Sequence, residues 1–426
     1  MTSWKFPFQP IGVPPLPSPA KFASGRLPLR LGRAAAALAL ATGLSVAVPG
    51  AAHADFSRPI DVVSISWPGA APLLTDTQAV RRGIENYTIP YWKSHSRITF
   101  SRGLDSVTPI EMPSSAPCDG DPTVAYMNDV AQKFYSSQGL SIGTRYLIIL
   151  APKIASKCVW EAKSIVGDYR VPFGITILQD NAIPQVITHE LGHALGLGHS
   201  NLMSCPTPGD SPWSLCQNIE YGGAIDIMSN IDTQGPLNVY HQWRLGELTG
   251  DSIASIQQTG DFILNGAGST TGLKALYIHD GPAVYWVEYR PAGDGYPAGL
   301  IVIRSDTPTD PTATVSPNTE YTGKYTGDSS GDAWLLNLGD YKYSATPTGS
   351  PTSWGFTTYS GDVNVTGQQQ GELASVHVSV KSGVNLLPLP DSPLDLSKFT
   401  FATSDFGKLY QVTPVQDGYS LSDPTL

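Results

Sequence analysis

The sequence is short of charge, of sulfur and of long apolar runs. Charged residues fill only 15% of its 426 positions. The 26 basic and 36 acidic residues give a net charge of −10. Residues 1–54 hold five basic residues (Lys5, Lys21, Arg26, Arg30, Arg33) and no acidic one, which leaves −15 on the remainder. That balance argues against a nucleic-acid partner, because binding a polyanion needs Lys and Arg to displace phosphate counterions. No apolar run reaches the roughly 20 residues that a membrane-spanning helix requires. Cysteine is scarce, at four residues, so any disulfide framework is sparse. By contrast, 42 glycines and 36 prolines predict a turn-rich chain with many short strands. Hydrophobic residues, at 41%, suffice for true cores and exclude wholesale disorder. The length accommodates two or three domains.

The first 54 residues read as an export signal. Arg26, Arg30 and Arg33 precede the apolar run Ala34 to Val48, and Ala52-His53-Ala54 has the small-x-small pattern of a cleavage site. The expectation is a secreted chain that begins at Asp55. Export suits disulfide formation. Four cysteines allow three pairings, of which the sequence-local one, Cys118 with Cys158 and Cys205 with Cys216, is preferred.

Residues 55–250 alternate between α and β signals. Asp61 to Trp67 alternates like a strand. Thr75 to Tyr91 has Val80, Ile84 and Tyr87 on one helical face, with Pro90 marking the end. Arg97 to Phe100 reads as a short strand, and Thr123 to Gln138 as a second helix through Tyr126, Val130 and Phe134. Arg145 to Leu150 is a buried strand. Ala162 to Leu178 suggests two more strands around a turn near Asp168. Pro184 opens a further helix at its first turn, where a missing N–H is harmless. Residues 251–426 change character. Strand-like runs recur at Asp261–Leu264, Lys274–His279, Ala283–Tyr289, Leu300–Arg304, Ala333–Leu338 and Ala374–Val380. A long Ser/Thr/Pro/Gly-rich loop lies at 305–332. The expected architecture is α+β: a mixed-sheet domain over 55–250, then an all-β, sandwich-like domain over 251–426.

Residues 189–199 read His-Glu-Leu-Gly-His-Ala-Leu-Gly-Leu-Gly-His. His189 and His193, four apart on a helix, project from one face about one turn apart. Both can reach one ion at roughly 2.0–2.1 Å. Gly196 lets the chain leave the helix through the left-handed region and return with His199. Three imidazoles leave one tetrahedral position open, the pattern of a catalytic rather than a structural zinc. Glu190 is placed to act beside that position as a general base. Zinc lowers the pKa of water toward roughly 7, so Glu190 can take a proton as the water attacks a carbonyl and return it to the leaving amine. At this chain's composition, five such residues at this spacing arise by chance with a probability of roughly 2 × 10⁻⁵.

This motif resembles the metzincin zinc-peptidase signature, His-Glu-x-x-His-x-x-Gly-x-x-His. The resemblance implies a metzincin-like catalytic domain with a Met-containing turn beneath the zinc, and Met228 in Tyr221-Gly-Gly-Ala-Ile-Asp-Ile-Met-Ser229 matches it better than Met203. The stretch Leu237-Asn-Val-Tyr-His-Gln-Trp-Arg-Leu-Gly-Glu247 is similar to the gametolysin branch. That branch implies an endopeptidase acting on extracellular or cell-wall proteins. Some metzincins carry a metal-reaching Tyr two residues after the Met; here that position is Asn230, so no Tyr ligand is expected. Asp55 leads almost at once into the first strand, so no inhibitory propeptide is expected.

Other residues have plainer readings. Tyr221, Tyr240 and Trp243 can line a substrate cleft, although aromatics near a helix more often serve the core. The strand near Ser164 to Asp168 can pair with an extended peptide. His241, His279 and His377 read as structural. Asp328 and Asp332 offer oxygens to a Ca2+ ion, against the competing reading of a solvated acidic turn. Two alternatives to a peptidase remain at this point: a binding or adhesion protein that works through its β-rich part, and a zinc hydrolase of non-peptide amides or esters.

Overall fold

The computed structural model describes residues 57–118, 121–140, 145–154, 158, 160–165, 173–180, 183–204, 217–223, 225–229, 235–281, 283–292, 298–305, 333–336, 353–358, 360–389, 400–401, 410–415 and 418–422. The export segment 1–54, Cys205 and Cys216, the turn near Asp168, Asn230, and Asp328 and Asp332 lie outside the described residues.

The first sheet contains β1 (Arg58–Ser66), β2 (Phe100–Asp105), β3 (Ile110–Glu111), β4 (Tyr146–Ala151), β5 (Ala162–Ser164) and β6 (Gly174–Gln179). Its order is β2-β1-β4-β6-β5, with β3 beside the far end of β1. All pairs are parallel except β5, which runs antiparallel to β6 at the edge. β4 is apolar throughout, as suits a strand buried on both faces, while the buried Asp61 of β1 is paired with Arg145 and Tyr135. The strands' period of two divides the side chains between two cores. Ile60, Val62, Tyr146, Ile148, Leu150 and Leu178 face one side. Val63, Ile65, Leu147, Ile149, Ile175 and Ile177 face the other.

Helices cover both faces. On the second side lies α3 (Asp121–Ser137), which buries Met127, Val130 and Phe134. On the first lie α1 (Thr77–Gly83), α2 (Ile89–His95) and α4 (Pro184–Ala194). Asp76 caps α1 by accepting from the Ala79 N–H. The helix expected to stop at Pro90 instead runs on to His95. A π-helical turn, Ile84–Thr88, joins α1 to α2, and the Ile89 N–H reaches back to the Ile84 carbonyl. Proline removes a backbone donor and crowds the carbonyl four residues earlier. Widening the preceding turn by one residue relieves that conflict without ending the helix. β2 also starts later than expected. Residues 96–98 close α2 instead: the Ser96 N–H bonds the Trp92 carbonyl and the Ile98 N–H bonds Ser96 Oγ.

The second sheet has seven strands: β7 (Ser200–Ser204), β8 (Gln217–Ile219), β9 (Ile253–Ser255), β11 (Ala275–Asp280), β12 (Ala283–Arg290), β13 (Gly299–Arg304) and β14 (Ala333–Leu336). Their order is β8-β7-β14-β13-β12-β11-β9. Strands from both sides of residue 250 therefore share one ladder, with β7 parallel to β14. A four-stranded antiparallel sheet consists of β10 (Gly260–Asn265), β15 (Ser353–Thr357), β16 (Val363–Gln370) and β17 (Leu373–Val380), in the order β10-β17-β16-β15. Val363, Val365, Val376 and Val378 from this sheet meet Leu276, Ile278, Tyr285 and Val287 from the other in a single apolar layer. The opposite face of the seven-stranded sheet packs on α5 (Val239–Arg244) through Trp243, Tyr240 and Trp286. Thr400–Phe401, Tyr410–Val415 and Gly418–Ser422 form a separate three-stranded sheet. The protein is thus a mixed α and β structure with several sheets and few helices.

Candidate metal centre

α4 begins at Pro184 and carries His189, Glu190 and His193. Gly196 follows with φ +90, in the left-handed region that favours glycine. The turn brings His199, immediately before β7, back toward the helix. One ligand atom from each of His189, His193 and His199 lies within 4.8 Å of the others. The three residues could therefore hold a metal ion.

Each ring is oriented through its Nδ1. His189 Nδ1 stands 2.7 Å from the Ile227 carbonyl, and His193 Nδ1 stands 2.8 Å from the Leu197 carbonyl. His199 Nδ1 lies 3.1 Å from Glu220 Oε1. All three partners are acceptors, so they assign the proton to Nδ1 and leave the Nε2 lone pair facing inward. His193 Nε2 and His199 Nε2 are 3.1 Å apart. The spacing is close to the ~3.3 Å expected between two nitrogens that bind one ion tetrahedrally at ~2.0–2.1 Å. Burial, reinforced by the nearby His199, lowers the His189 pKa to about 4. Burial, with His189 and His199 beside it, holds His193 well below the usual histidine range. Both rings are therefore neutral at pH 7, the form that ligates a metal.

Glu190 is buried, and its Oε2 has no hydrogen-bond partner. Burial raises its pKa to about 7, against the opposing effects of a Ser164 hydrogen bond and of His199 and Lys163. An orphaned carboxylate oxygen beside three converging imidazoles fits a site that receives a cation and a proton-bearing ligand. Ser164, on the edge strand β5, donates to the Glu190 carbonyl at 2.8 Å and so ties this helix turn to the sheet.

Met228 lies beneath the helix. A Cβ at Gly192 would overlap Met228 Sδ and stand 3.0 Å from its Cε, so glycine is what lets the thioether approach. Asp226 organises the turn around Met228. Its Oδ1 accepts from Ser200 Oγ at 2.8 Å and from the Met228 N–H at 3.1 Å. Its Oδ2 accepts from the Asn238 N–H at 2.8 Å and Asn238 Nδ2 at 3.0 Å. Burial alone would raise the Asp226 pKa. His241, Arg290 and the Asn238 N–H outweigh it and hold the carboxyl at about 2. Strand β12 supplies a second brace. Arg290 donates to the Ile225 carbonyl at 2.8 Å and the Pro236 carbonyl at 2.9 Å, and Glu288 accepts from the Val239 N–H at 2.7 Å. Arg244 on α5 donates to the Gly196 carbonyl through Nε and Nη2, just past the end of α4.

The remaining candidates separate. Tyr221 stays near the triad, its ring centroid 4.1 Å from that of His199. Tyr240 and Trp243 are buried in the α5 core, and Met203 belongs to the layer between the two sheets. His241 is buried against Asp226 and Asn238, His279 lies on β11 and His377 on β17. Cys118 and Cys158 form a disulfide. Sequence reasoning missed the braces Asp226, Asn238, Glu288, Arg290 and Arg244. The pair Glu288 and Arg290 was the available signal: two charges two apart fall on one face of an apolar strand, where burial demands that they find partners.

Among the described residues no helix is long and apolar enough to cross a membrane. No protein-family profile matches the chain, and no curated protein matches it. A solved structure described as "Structure of a chaperone-substrate complex" aligns at 16% identity and a TM-score of 0.26, over 43% of this chain and 30% of that one. The chain thus spans under a third of that structure's length, and a likeness of this degree carries no argument about fold or function.

Proposed function

We propose that this chain is a secreted zinc endopeptidase of the metzincin type, resembling the gametolysin family, that hydrolyses extracellular or cell-wall proteins. The observation that carries the reading is the convergence of three Nδ1-anchored imidazoles beside a buried carboxylate with an unpartnered oxygen. His189, His193 and His199 would hold the ion, with Met228 as the floor beneath. Zinc there supplies Lewis acidity to a carbonyl and lowers the pKa of water. Glu190 takes a proton from the attacking water at its carboxylate and passes it to the departing amine. Its burial keeps bulk water from competing for that proton. The edge strand β5, joined by Ser164 to the Glu190 turn, offers a ladder on which an extended peptide can pair through its backbone. The Cys118–Cys158 disulfide supports an oxidising, extracellular location.

The test is digestion of an unfolded protein by the purified, zinc-loaded chain. Expected results are internal cuts, their loss on chelation, their return with zinc, and a fall in kcat of about 10²–10⁴-fold for Glu190→Gln with zinc retained. A wild-type protein that holds one zinc per chain and cuts no peptide bond would overturn the assignment. Turnover of an ester or a non-peptide amide by that same protein would redirect it to another zinc hydrolase.

A further inference from the structure

We propose that Glu220 and Tyr221 form a positioning unit for the third metal ligand, His199, and thereby set how tightly the site holds its ion. This rests on the reading of the triad as a zinc site. The three ligands are not supported alike. His189 and His193 sit on a helix and face backbone carbonyls fixed by the surrounding fold. His199 follows the glycine turn, off the helix, and the acceptor at its Nδ1 is a side-chain carboxylate, Glu220 Oε1 at 3.1 Å. An acceptor behind an imidazole fixes the tautomer, aims the opposite nitrogen and raises the basicity of the ring.

Tyr221 supplies the second contact. It is the only non-glycine residue with positive φ among the described residues, at +59. A side chain in that region is strained, and such strain persists only where the surroundings impose it. Here the imposing contacts are specific. The Tyr221 N–H donates to Asn201 Oδ1 at 3.0 Å, and the Gly223 N–H donates to the Ser200 carbonyl at 2.9 Å. Between them, Gly222 packs so closely that a Cβ would stand 2.8 Å from both the Ile219 carbonyl oxygen and Leu202 Cβ. β8 pairs antiparallel with β7 through Ile219 and Leu202. Past Ile219 the ladder gives way to a turn over 220–223, which closes on Asn201 and Ser200, next to His199. The strained turn lays the Tyr221 ring against His199, with centroids 4.1 Å apart, and 5.8 Å from His189. Yet Tyr221 remains 42% exposed. Core packing alone would not require a half-exposed tyrosine to hold a conformation that glycine adopts freely.

The experiment measures zinc affinity by competition with a chromophoric chelator, alongside thermal unfolding of the metal-free protein. It uses the full chain, Glu220→Ala, Glu220→Gln and Tyr221→Gly. The Glu220 side chain is 61% exposed, so its replacement leaves the fold intact. Glu220→Ala is expected to weaken zinc binding about 10–100-fold, with Glu220→Gln in between, since the amide oxygen still accepts. Tyr221→Gly relieves the backbone, so the metal-free protein should unfold at the same or a higher temperature while zinc affinity falls about 10-fold or more. In cobalt-loaded samples the visible bands should shift in Glu220→Ala and Tyr221→Gly. Wild-type affinity, within twofold, in both of those variants overturns this proposal and leaves the zinc site standing. Loss of affinity only in step with loss of metal-free stability assigns the turn a structural role and also overturns it. A wild-type chain that binds no zinc overturns both this proposal and the reading beneath it.

Discussion

Replacing Arg290 by Met should destabilise the protein from a position on β12, far along the sequence from the metal motif. Arg290 and Glu288 are both buried, Glu288 completely. The guanidinium Nε donates to Glu288 Oε1 at 2.5 Å, while Nη1 and Nη2 bind the carbonyls of Ile225 and Pro236. Methionine fills similar volume but removes these bonds. Glu288 then keeps the Val239 N–H as a partner and feels the Lys274 charge, but loses its paired guanidinium in a fully buried site. Breaking a buried pair in this way costs about 3–5 kcal/mol. Stabilities of folded domains run to about 5–15 kcal/mol, so the loss is a large fraction of the whole. Urea unfolding of the metal-free protein should show a lower midpoint with little change in slope. The double variant Glu288→Gln/Arg290→Met should recover a substantial part of the loss, because the amide oxygen can still accept from Val239 without a buried charge. An Arg290→Met midpoint within about 1 kcal/mol of wild type, or a double variant no better than the single, would refute the reasoning.

Gly192→Ala should cost about 1–3 kcal/mol through overpacking against Met228 Sδ, read as a lower melting temperature; companion replacement of Met228 by Ala should restore part of it. Asp226, held near pKa 2 in the fold against an ordinary 3.8, contributes about 2 kcal/mol above pH 4 that is lost as pH falls toward 2. Asp226→Asn should therefore flatten the acid limb of a stability–pH curve over that window, and an unchanged slope would contradict the assignment. Reducing the Cys118–Cys158 bridge, which closes a separation of 40 residues, should cost about 4 kcal/mol on the chain-entropy account, measured by denaturation with and without reductant.

The legible parts of the fold were those where one local pattern dominates. The run Arg145–Leu150 became β4 because a strand covered on both faces reads as a short continuous apolar run, and the strand signal after Asp61 became β1. Pro90 misled because its local preference for ending a helix was overridden by Tyr91 and Trp92, whose burial in the sheet core makes a π-turn worthwhile. The three histidines could be grouped from spacing alone, since α4 and Gly196 are local structure. Their supports could not. Glu220, Asp226 and Arg290 act across 21, 26 and 65 residues of chain, on His199, Ser200 and Ile225 respectively, and only the folded sheets bring them together. The sharing of one ladder by β7 and β14 was equally invisible, because a parallel pairing between residues 200 and 333 leaves no mark in either segment.

The most direct measurement is zinc K-edge X-ray absorption on the purified, zinc-loaded chain. The account predicts one zinc per chain, with three imidazole nitrogens at about 2.0–2.1 Å and a fourth light scatterer that small anionic inhibitors displace. Zinc bound without histidine, a fourth protein ligand closing the site, or the same spectrum after His199→Ala would contradict it.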